Sequence, residues 1–526
     1  MADLGQAIKR KPRPVRSSSG WVQTRKIVQA ISLIAFFSLL IFTRRDGLPA
    51  DLTNIPIRLD PLVMLAQTIA ARLLLTGSLL AIFVILLTLL FGRVWCGWLC
   101  PLGTTLDLFA FKNRHKGKAA RREEYESLRT IKYILLLAIL LAALFGNLTL
   151  LIFDPITIYI RTFATSIWPV LGHSVSAAEQ VLYQVPWLAN PITKFDSWLR
   201  PAILPYEPAF YRQVWLYAGV FALVIGLNWL APRFWCRYLC PLGGFLGLFS
   251  KFAIFRRRIS QECKSCVLCT QSCPTGTIDP AKGYASDPGE CTMCMNCLSA
   301  CPRNALRFNP APPSPLWTPY DPNRGQALAV FGATLIALAL FKSDALAKRK
   351  NTFLIRPPGA SEDNLMNLCI RCGECVRTCP TNGLQPAVAE AGIEGLWTPT
   401  LIPRLGYCDY ACNACGQTCP VEAIPPLLLG DKRVQVIGKA YIDQNRCIAW
   451  SDHLDCIVCQ EMCPLPDKAV RLENGLVPDE NGESRQILLP YVLRDRCIGC
   501  GICEYKCPVS GEAAIRVHIP DTERLF

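Results

Sequence analysis

Residues 263–274 read CKSCVLCTQSCP. Four cysteines follow one another at intervals of three, three and four, and proline follows the last. The pattern returns at Cys291, Cys294, Cys297 and Cys301, at Cys369, Cys372, Cys375 and Cys379, and at Cys497, Cys500, Cys503 and Cys507. Two variants displace only the first cysteine: Cys408, Cys412, Cys415, Cys419 and Cys447, Cys456, Cys459, Cys463. Every group ends in Cys-Pro. Together they take 24 of the 28 cysteines in a 526-residue chain, too long to be a small disulfide-stapled scaffold.

The spacing has a chemical reason. Three thiolates on one tight loop reach three irons of a cubane. The fourth, beside proline, points away to a neighbouring cluster, as in the two-cluster ferredoxins of bacteria. The groups are therefore read in pairs. Cys263, Cys266, Cys269 and Cys301 are expected to hold one [4Fe–4S] cluster, and Cys291, Cys294, Cys297 and Cys273 the other. The last four groups pair first with second and third with fourth, or in nested order. The gaps between them are all near 30 residues and do not choose, and the sequential order is the expectation. Four-thiolate zinc sites use two separated knuckles, and cysteines three apart are badly placed for disulfides. All 24 are thus assigned as iron ligands of six clusters.

Upstream stands a second repeat. Val94–Phe109 reads VWCGWLCPLGTTLDLF, and Phe234–Phe249 reads FWCRYLCPLGGFLGLF, with ten of sixteen positions identical. Each copy ends a long apolar run. Read as helix, cysteines four apart share a face, so Cys96, Cys100, Cys236 and Cys240 are candidate redox thiols for a further metal or cluster. Plain packing and a disulfide within each phrase remain alternatives.

Five apolar runs are candidate membrane spans: Ile27–Thr43, Leu65–Phe91, Ile131–Phe153, Val214–Leu230 and Gly325–Phe341. About 20 residues match a hydrocarbon core of about 30 Å. Basic residues crowd before the first run, between the second and third, and after the fourth, which sets the N-terminus in the cytoplasm. The net charge of +15 is thereby mostly topological, and no basic stripe with stacking aromatics points to nucleic acid. The expected fold is an α-helical membrane bundle of four spans plus a fifth, joined to α+β bacterial two-cluster ferredoxin domains. Its parts are a basic cytoplasmic arm (1–26), the membrane domain with both CxxxCP phrases (27–250), a two-cluster ferredoxin (251–312), a linker with the fifth helix (313–350) and a four-cluster ferredoxin (351–526).

These residues resemble a known pairing. Four spans, two WCxxLCPLG phrases, Phe153-Asp154-Pro155 and a ferredoxin directly after the second phrase make residues 20–310 similar to membrane quinol dehydrogenases of the NapH and NosR type. Four cysteine groups, including CIAWSDHLDCIVCQEMCP and CIGCGICEYKCP, make residues 325–526 similar to the partner ferredoxins NapG and MauM. The resemblance implies an electron-transfer protein, or a quinol dehydrogenase, that passes electrons between the quinone pool and a partner oxidoreductase. The alternatives are an electron donor for maturing or reactivating a metalloenzyme, and a wiring subunit of a larger respiratory complex. Implied partners are lipid, quinone and a reductase. The expected location is the cytoplasmic membrane, with the N-terminus and 251–312 on the cytoplasmic side. Residues 351–526 are expected on the periplasmic face, because the fifth apolar run is otherwise unexplained; a re-entrant or peripheral helix there would instead keep all six clusters in the cytoplasm. Asp154 is the candidate acid for quinol proton release, with a plain helix-end turn at Asp-Pro as the alternative. No CxxCH and no nucleotide-binding glycine pattern occurs, so neither haem nor nucleotide is expected.

Overall fold

The computed structural model describes residues 20–42, 50–73, 76–110, 127–202, 209–310, 325, 331–332, 353–478 and 484–519. A helical body comes first. It contains α1 (Gly20–Phe42), α2 (Pro61–Ala71), α3 (Leu80–Phe91), α4 (Pro101–Leu108), α5 (Ile131–Leu144), α6 (Pro155–Thr162), α7 (Trp168–Leu182), α8 (Ala189–Ala202), α9 (Val214–Gly226) and α10 (Pro241–Ser250). Helices α2, α4, α6 and α10 all begin on proline, where the missing N–H costs nothing. Their N-caps are Asp60, Cys100, Asp154 and Cys240, so the Asp-Pro and Cys-Pro pairs are helix starts.

The four-span bundle is not what forms. Among the described residues only α1 is long and apolar enough to cross a membrane. The run Leu65–Phe91 breaks where Arg72 turns left-handed (φ 54°), and the chain restarts through a 3-10 turn, Thr76–Leu79. What remains is α3, whose 12 residues span roughly 18 Å, well short of a hydrocarbon core. The run Ile131–Phe153 ends as helix at Leu144, turns at Gly146 (φ 72°) and continues as a 3-10 segment, Thr149–Phe153. The run Val214–Leu230 yields the 13 residues of α9. Composition over a window cannot see these turns, and that is why the expectation failed. The fifth run, Gly325–Phe341, falls outside the described residues except at 325, 331 and 332, and the arm before residue 20 lies outside them too.

Apolar side chains nonetheless face outward on several helices. Ile27, Ile31 and Ile34 of α1, Ile82, Phe83 and Leu86 of α3, and Trp215 and Leu223 of α9 are all exposed. Inside, Leu62, Leu102, Leu106, Leu136, Ile156 and Leu242 close one core that also holds all four CxxxCP cysteines.

The ferredoxin parts are small and loop-rich, with five two-stranded antiparallel sheets among the described residues. In the first unit, β1 (Phe255–Ile259) pairs with β4 (Leu306–Pro310), and β2 (Ile278–Asp279) with β3 (Ala285–Ser286). In the second assembly, β5 (Leu384–Pro386) pairs with β6 (Pro399–Leu401) between the first two cysteine groups. There β7 (Lys439–Ile442) pairs with β10 (Ile515–His518), closing the third and fourth groups into one unit, and β8 (Val470–Pro478) with β9 (Ser484–Val492) forms a hairpin.

The two ferredoxin parts dock at opposite ends of α5. At its start, Arg129 donates to the carbonyls of Thr275 and Gly276, and Lys132 pairs with Glu290. Past its end, Leu148 N–H donates to Met366 O at 3.4 Å, and Gln67 of α2 donates to Leu368 O at 3.1 Å.

Candidate iron–sulfur sites

The cysteine loops wind in one recurrent way. In the first unit the residues on either side of the middle cysteine turn left-handed: Ser265 (φ 50°) and Val267 (φ 60°) around Cys266, and Met293 (φ 52°) and Met295 (φ 60°) around Cys294. The same two positions are Arg371 (φ 61°) and Gly373 (φ 82°) around Cys372, and Gly499 (φ 77°) and Gly501 (φ 80°) around Cys500. A branched or bulky residue such as Val267 pays a steric cost there, which persists only where the surroundings impose it. Short helices then carry the third cysteine: Leu268–Gln271, Asn296–Ala300, Glu374–Thr378 and Ile502–Lys506.

The loops bring three cysteines of one run together with the last cysteine of its neighbour. One cavity is lined by Cys263, Cys266, Cys269 and Cys301. A second is lined by Cys369, Cys372, Cys375 and Cys419, a third by Cys408, Cys412, Cys415 and Cys379, and a fourth by Cys447, Cys456, Cys459 and Cys507. Cys273 shares a small core with Cys269, Cys297 and Cys301. Burial pushes the Cys291 thiol up, and the neighbouring Cys294, Cys297 and Cys273 push it further. Likewise Cys463 packs in one core with Cys497 and Cys503. The geometry is therefore sequential, first group with second and third with fourth.

These rings fit a cluster better than the alternatives. All 28 cysteines are free thiols. Among the described residues no three Cys, His, Asp or Glu side chains converge closely enough for a single metal ion. Thiols spread around a cavity suit a cubane, whose irons stand apart. Burial, then the Glu374 carboxylate, push the Cys372 thiol well up, so it ligates only if bound iron supplies the compensating charge.

The CxxxCP phrases differ from the sequence expectation in shape. Trp95–Leu99 and Trp235–Leu239 are π-helical turns, and Cys100 and Cys240 leave them in extended conformation. Four-apart positions on an α-helix were therefore the wrong ruler, although the thiols still meet. All four are buried, and each lies within electrostatic range of others across the repeat: Cys100 with Cys96 and Cys236, Cys240 with Cys236, Cys96 and Cys100. Such single-turn π segments often sit at functional sites.

Asp154 is fully buried, with one oxygen accepting from Ile156 N–H, Thr157 N–H and the Thr157 hydroxyl, each at 3.0 Å. Its companion is Asp60, which caps α2 in the same manner. Burial, then the facing Asp154, push the Asp60 carboxyl well above the usual range. The sequence signal for Asp60 was present, since Asp60-Pro61 repeats Asp154-Pro155. Tyr159 points elsewhere, and Arg161 lies within electrostatic range of Asp154 while its guanidinium packs on an aromatic ring. The Tyr159 hydroxyl meets Thr105 Oγ1 at 3.2 Å, and Arg161 lies over the Trp397 ring at 4.2 Å.

Comparison with known proteins agrees with the loops. One family described as a 4Fe-4S binding domain matches residues 73–119 and 213–260, which contain the CxxxCP phrases, and another of the same description matches residues 284–307, 366–385 and 490–510. The methylamine utilization ferredoxin-type protein MauM of Methylorubrum extorquens is 35% identical over 211 residues, covering 38% of this chain and 90% of the relative. MauM of Paracoccus denitrificans is 37% identical over 171 residues, covering 31% of this chain and 70% of the relative. The ferredoxin-type protein NapG of Escherichia coli is 33% identical over 189 residues, covering 35% of this chain and 76% of the relative. No solved structure matches. The protein binds 4Fe-4S clusters and transfers electrons through them, and the chain belongs to the family of MauM ferredoxin-type proteins.

Proposed function

We propose that the protein carries electrons from the quinone pool, through six [4Fe–4S] clusters in its ferredoxin parts, to a partner oxidoreductase. The observation that carries this reading is the cross-paired lining of the cavities, three thiols from one run and the last from its neighbour. The 24 ferredoxin cysteines hold the clusters, which supply one-electron chemistry at each site. The chain's own residues supply spacing, insulation and counter-charge. Cys408 N–H donates to Cys500 O at 2.8 Å, so the ring of Cys408, Cys412, Cys415 and Cys379 adjoins the ring of Cys497, Cys500, Cys503 and Cys463. Cys369 and Cys372 share one buried core with Leu62 and Ile156 of the helical body.

Cys96, Cys100, Cys236 and Cys240 form one further redox site between quinol and the first ferredoxin. Quinol oxidation releases two electrons and two protons. The electrons leave singly into the protein, and the Asp60–Asp154 pair is the candidate first acceptor for a proton. The protein lies in the cytoplasmic membrane, anchored by α1. The outward-facing apolar side chains support this placement. The membrane half resembles NapH and NosR in its paired CxxxCP phrases.

Iron and acid-labile sulfide analysis of anaerobic full-length protein, followed by assay with a quinol analogue, tests the reading. About 24 irons are expected in the ferredoxin loops, with reduction of the clusters by quinol. Asp154→Asn should slow that reduction and leave reduction by dithionite unchanged. Iron near 16 per chain, or clusters that quinol never reduces, would overturn it.

A further inference from the structure

The two CxxxCP phrases share a feature that no sequence reading singled out. Each has an arginine three residues before its first cysteine, Arg93 before Cys96 and Arg233 before Cys236. Both are 1% exposed, among the most deeply buried large side chains in the protein. Each reaches across to the other repeat. Arg233 Nη1 donates to the Cys96 carbonyl at 3.3 Å. A Cβ on Gly243, three residues past Cys240, would lie 2.6 Å from Arg93 Nη2 and 3.3 Å from Cys240 Sγ, so the Arg93 guanidinium fills that corner beside the thiol.

Their carboxylate partners break the symmetry. Arg233 is held by both oxygens of Asp107, at 2.7 and 2.6 Å, on the helix that follows the first phrase. The matching position in the second phrase is Gly247. A Cβ there would stand 2.9 Å from Gly289 O, and that closeness admits the 289–290 backbone of the first ferredoxin. Arg93 takes its bonds from there, donating to Gly289 O at 3.0 Å and pairing with Glu290 at 3.4 Å. Glu290 immediately precedes Cys291.

Glu290 is shared by Arg93, Lys132 and Arg129, and Asp107 by Arg233 and Arg25. Lys132 also faces Asp287 at the ferredoxin edge, and Arg25 faces Cys294 there. The two guanidiniums turned toward the CxxxCP thiols are Arg93 and Arg233, both within electrostatic range of Cys236. A buried guanidinium beside a thiol favours the thiolate, the form that ligates iron.

We infer that Cys96, Cys100, Cys236 and Cys240 hold an anionic iron–sulfur centre as thiolates, that Arg93 and Arg233 are its paired counter-charges, and that Glu290 of the first ferredoxin stands in for the acid the second repeat lacks. This rests on the reading of the four thiols as one redox site. Arg93 and Arg233 stabilise the single negative charge that each arriving electron adds. They are relieved of it when that electron passes on toward the loop of Cys291, Cys294 and Cys297. They are positioning residues that set how easily the centre is reduced.

The test is an EPR-monitored redox titration of the anaerobic full-length protein, with iron and sulfide measured alongside. Arg93→Gln and Arg233→Gln should keep the centre and lower its midpoint potential, about tenfold in reduced fraction at fixed potential, which is ~59 mV for one electron. Arg93→Lys and Arg233→Lys retain the charge and should stay near wild type. Arg129→Gln, at the edge of this charge network and more accessible, should shift the potential the same way by less and serves if the buried variants do not fold. The combined Cys100→Ser, Cys240→Ser variant should lose the centre's signal and iron while the ferredoxin clusters remain. If that variant loses no iron, the four-thiol site itself is wrong. If the centre is present but Arg93→Gln, Arg233→Gln and Arg129→Gln all titrate at the wild-type potential, the counter-charge inference alone is overturned.

Discussion

Gly97 shows how one side chain, or its absence, decides a contact between domains. It is the second residue after Trp95 in the first π turn, and its carbonyl accepts from Gln29 Nε2 of α1 at 2.9 Å. A Cβ on it would fall 2.0 Å from Thr292 O, on the loop of Cys291 and Cys294. Next to it, Trp98 Nε1 donates to Met293 O at 2.9 Å. The second phrase carries Arg237 at this position, and there the long side chain turns instead over Tyr238 and against Gly276. The first phrase therefore touches the loop of Cys291 and Cys294 at Gly97, while the second touches the backbone just before it at Gly247. Gly97→Ala should force the two apart at a cost of about 1–3 kcal/mol. All ferredoxin clusters should still assemble and still be reduced by dithionite, while their reduction by a quinol analogue slows. An unchanged quinol rate in stopped-flow absorbance would show that electrons do not pass through this contact.

At the scale of the element, each ferredoxin unit is two similar loops exchanging one cysteine. β1 and β4 close the first unit, with Ile259 opposite Leu306, and so bring Cys263 near Cys301 from the far ends of the segment. The exchange makes the loops interdependent, which a bead-like arrangement would not. Cys301→Ala should remove the cluster of Cys263, Cys266 and Cys269, lowering iron by about four per chain. The cluster of Cys291, Cys294 and Cys297 should remain, although it is the nearer in sequence. Assignment of the remaining EPR signals by selective labelling checks this, and loss of the nearer cluster instead would refute the exchange. The same logic joins Cys379 to the loop of Cys408 and Cys507 to the loop of Cys447.

At the scale of the whole molecule, the helical body lies between two electron-carrying assemblies. Its four-thiol end adjoins the first ferredoxin through Arg93, Gly97 and Trp98. Its carboxyl-pair end adjoins the second through Leu148, Gln67 and Tyr211, whose hydroxyl donates to Val376 O at 3.3 Å. The first ring of the second assembly is therefore close to the Asp60–Asp154 pair, and the first ferredoxin is close to the thiols.

Sequence and tertiary structure divided the work along physical lines. Ligand chemistry was legible from spacing, because a cubane demands thiols at short fixed intervals and few other sites do. The six groups and the cross-paired set around Cys301 could be read directly for that reason. The pairing of the last four groups was not fixed by loop length, and it took the closure of β7 on β10 and β5 on β6 to make it sequential. Apolar runs misled, since hydropathy summed over a window is blind to a left-handed Arg72 or a turn at Gly146 that ends a helix early. The CxxxCP repeat was legible, but the π turns that carry its first cysteines were not. Asp60 beside Asp154, and Glu290 in the place that Gly247 leaves open, belong to the tertiary structure alone. Burial of charge is paid for by partners brought from distant segments, and no local pattern in the chain records which segment will supply them.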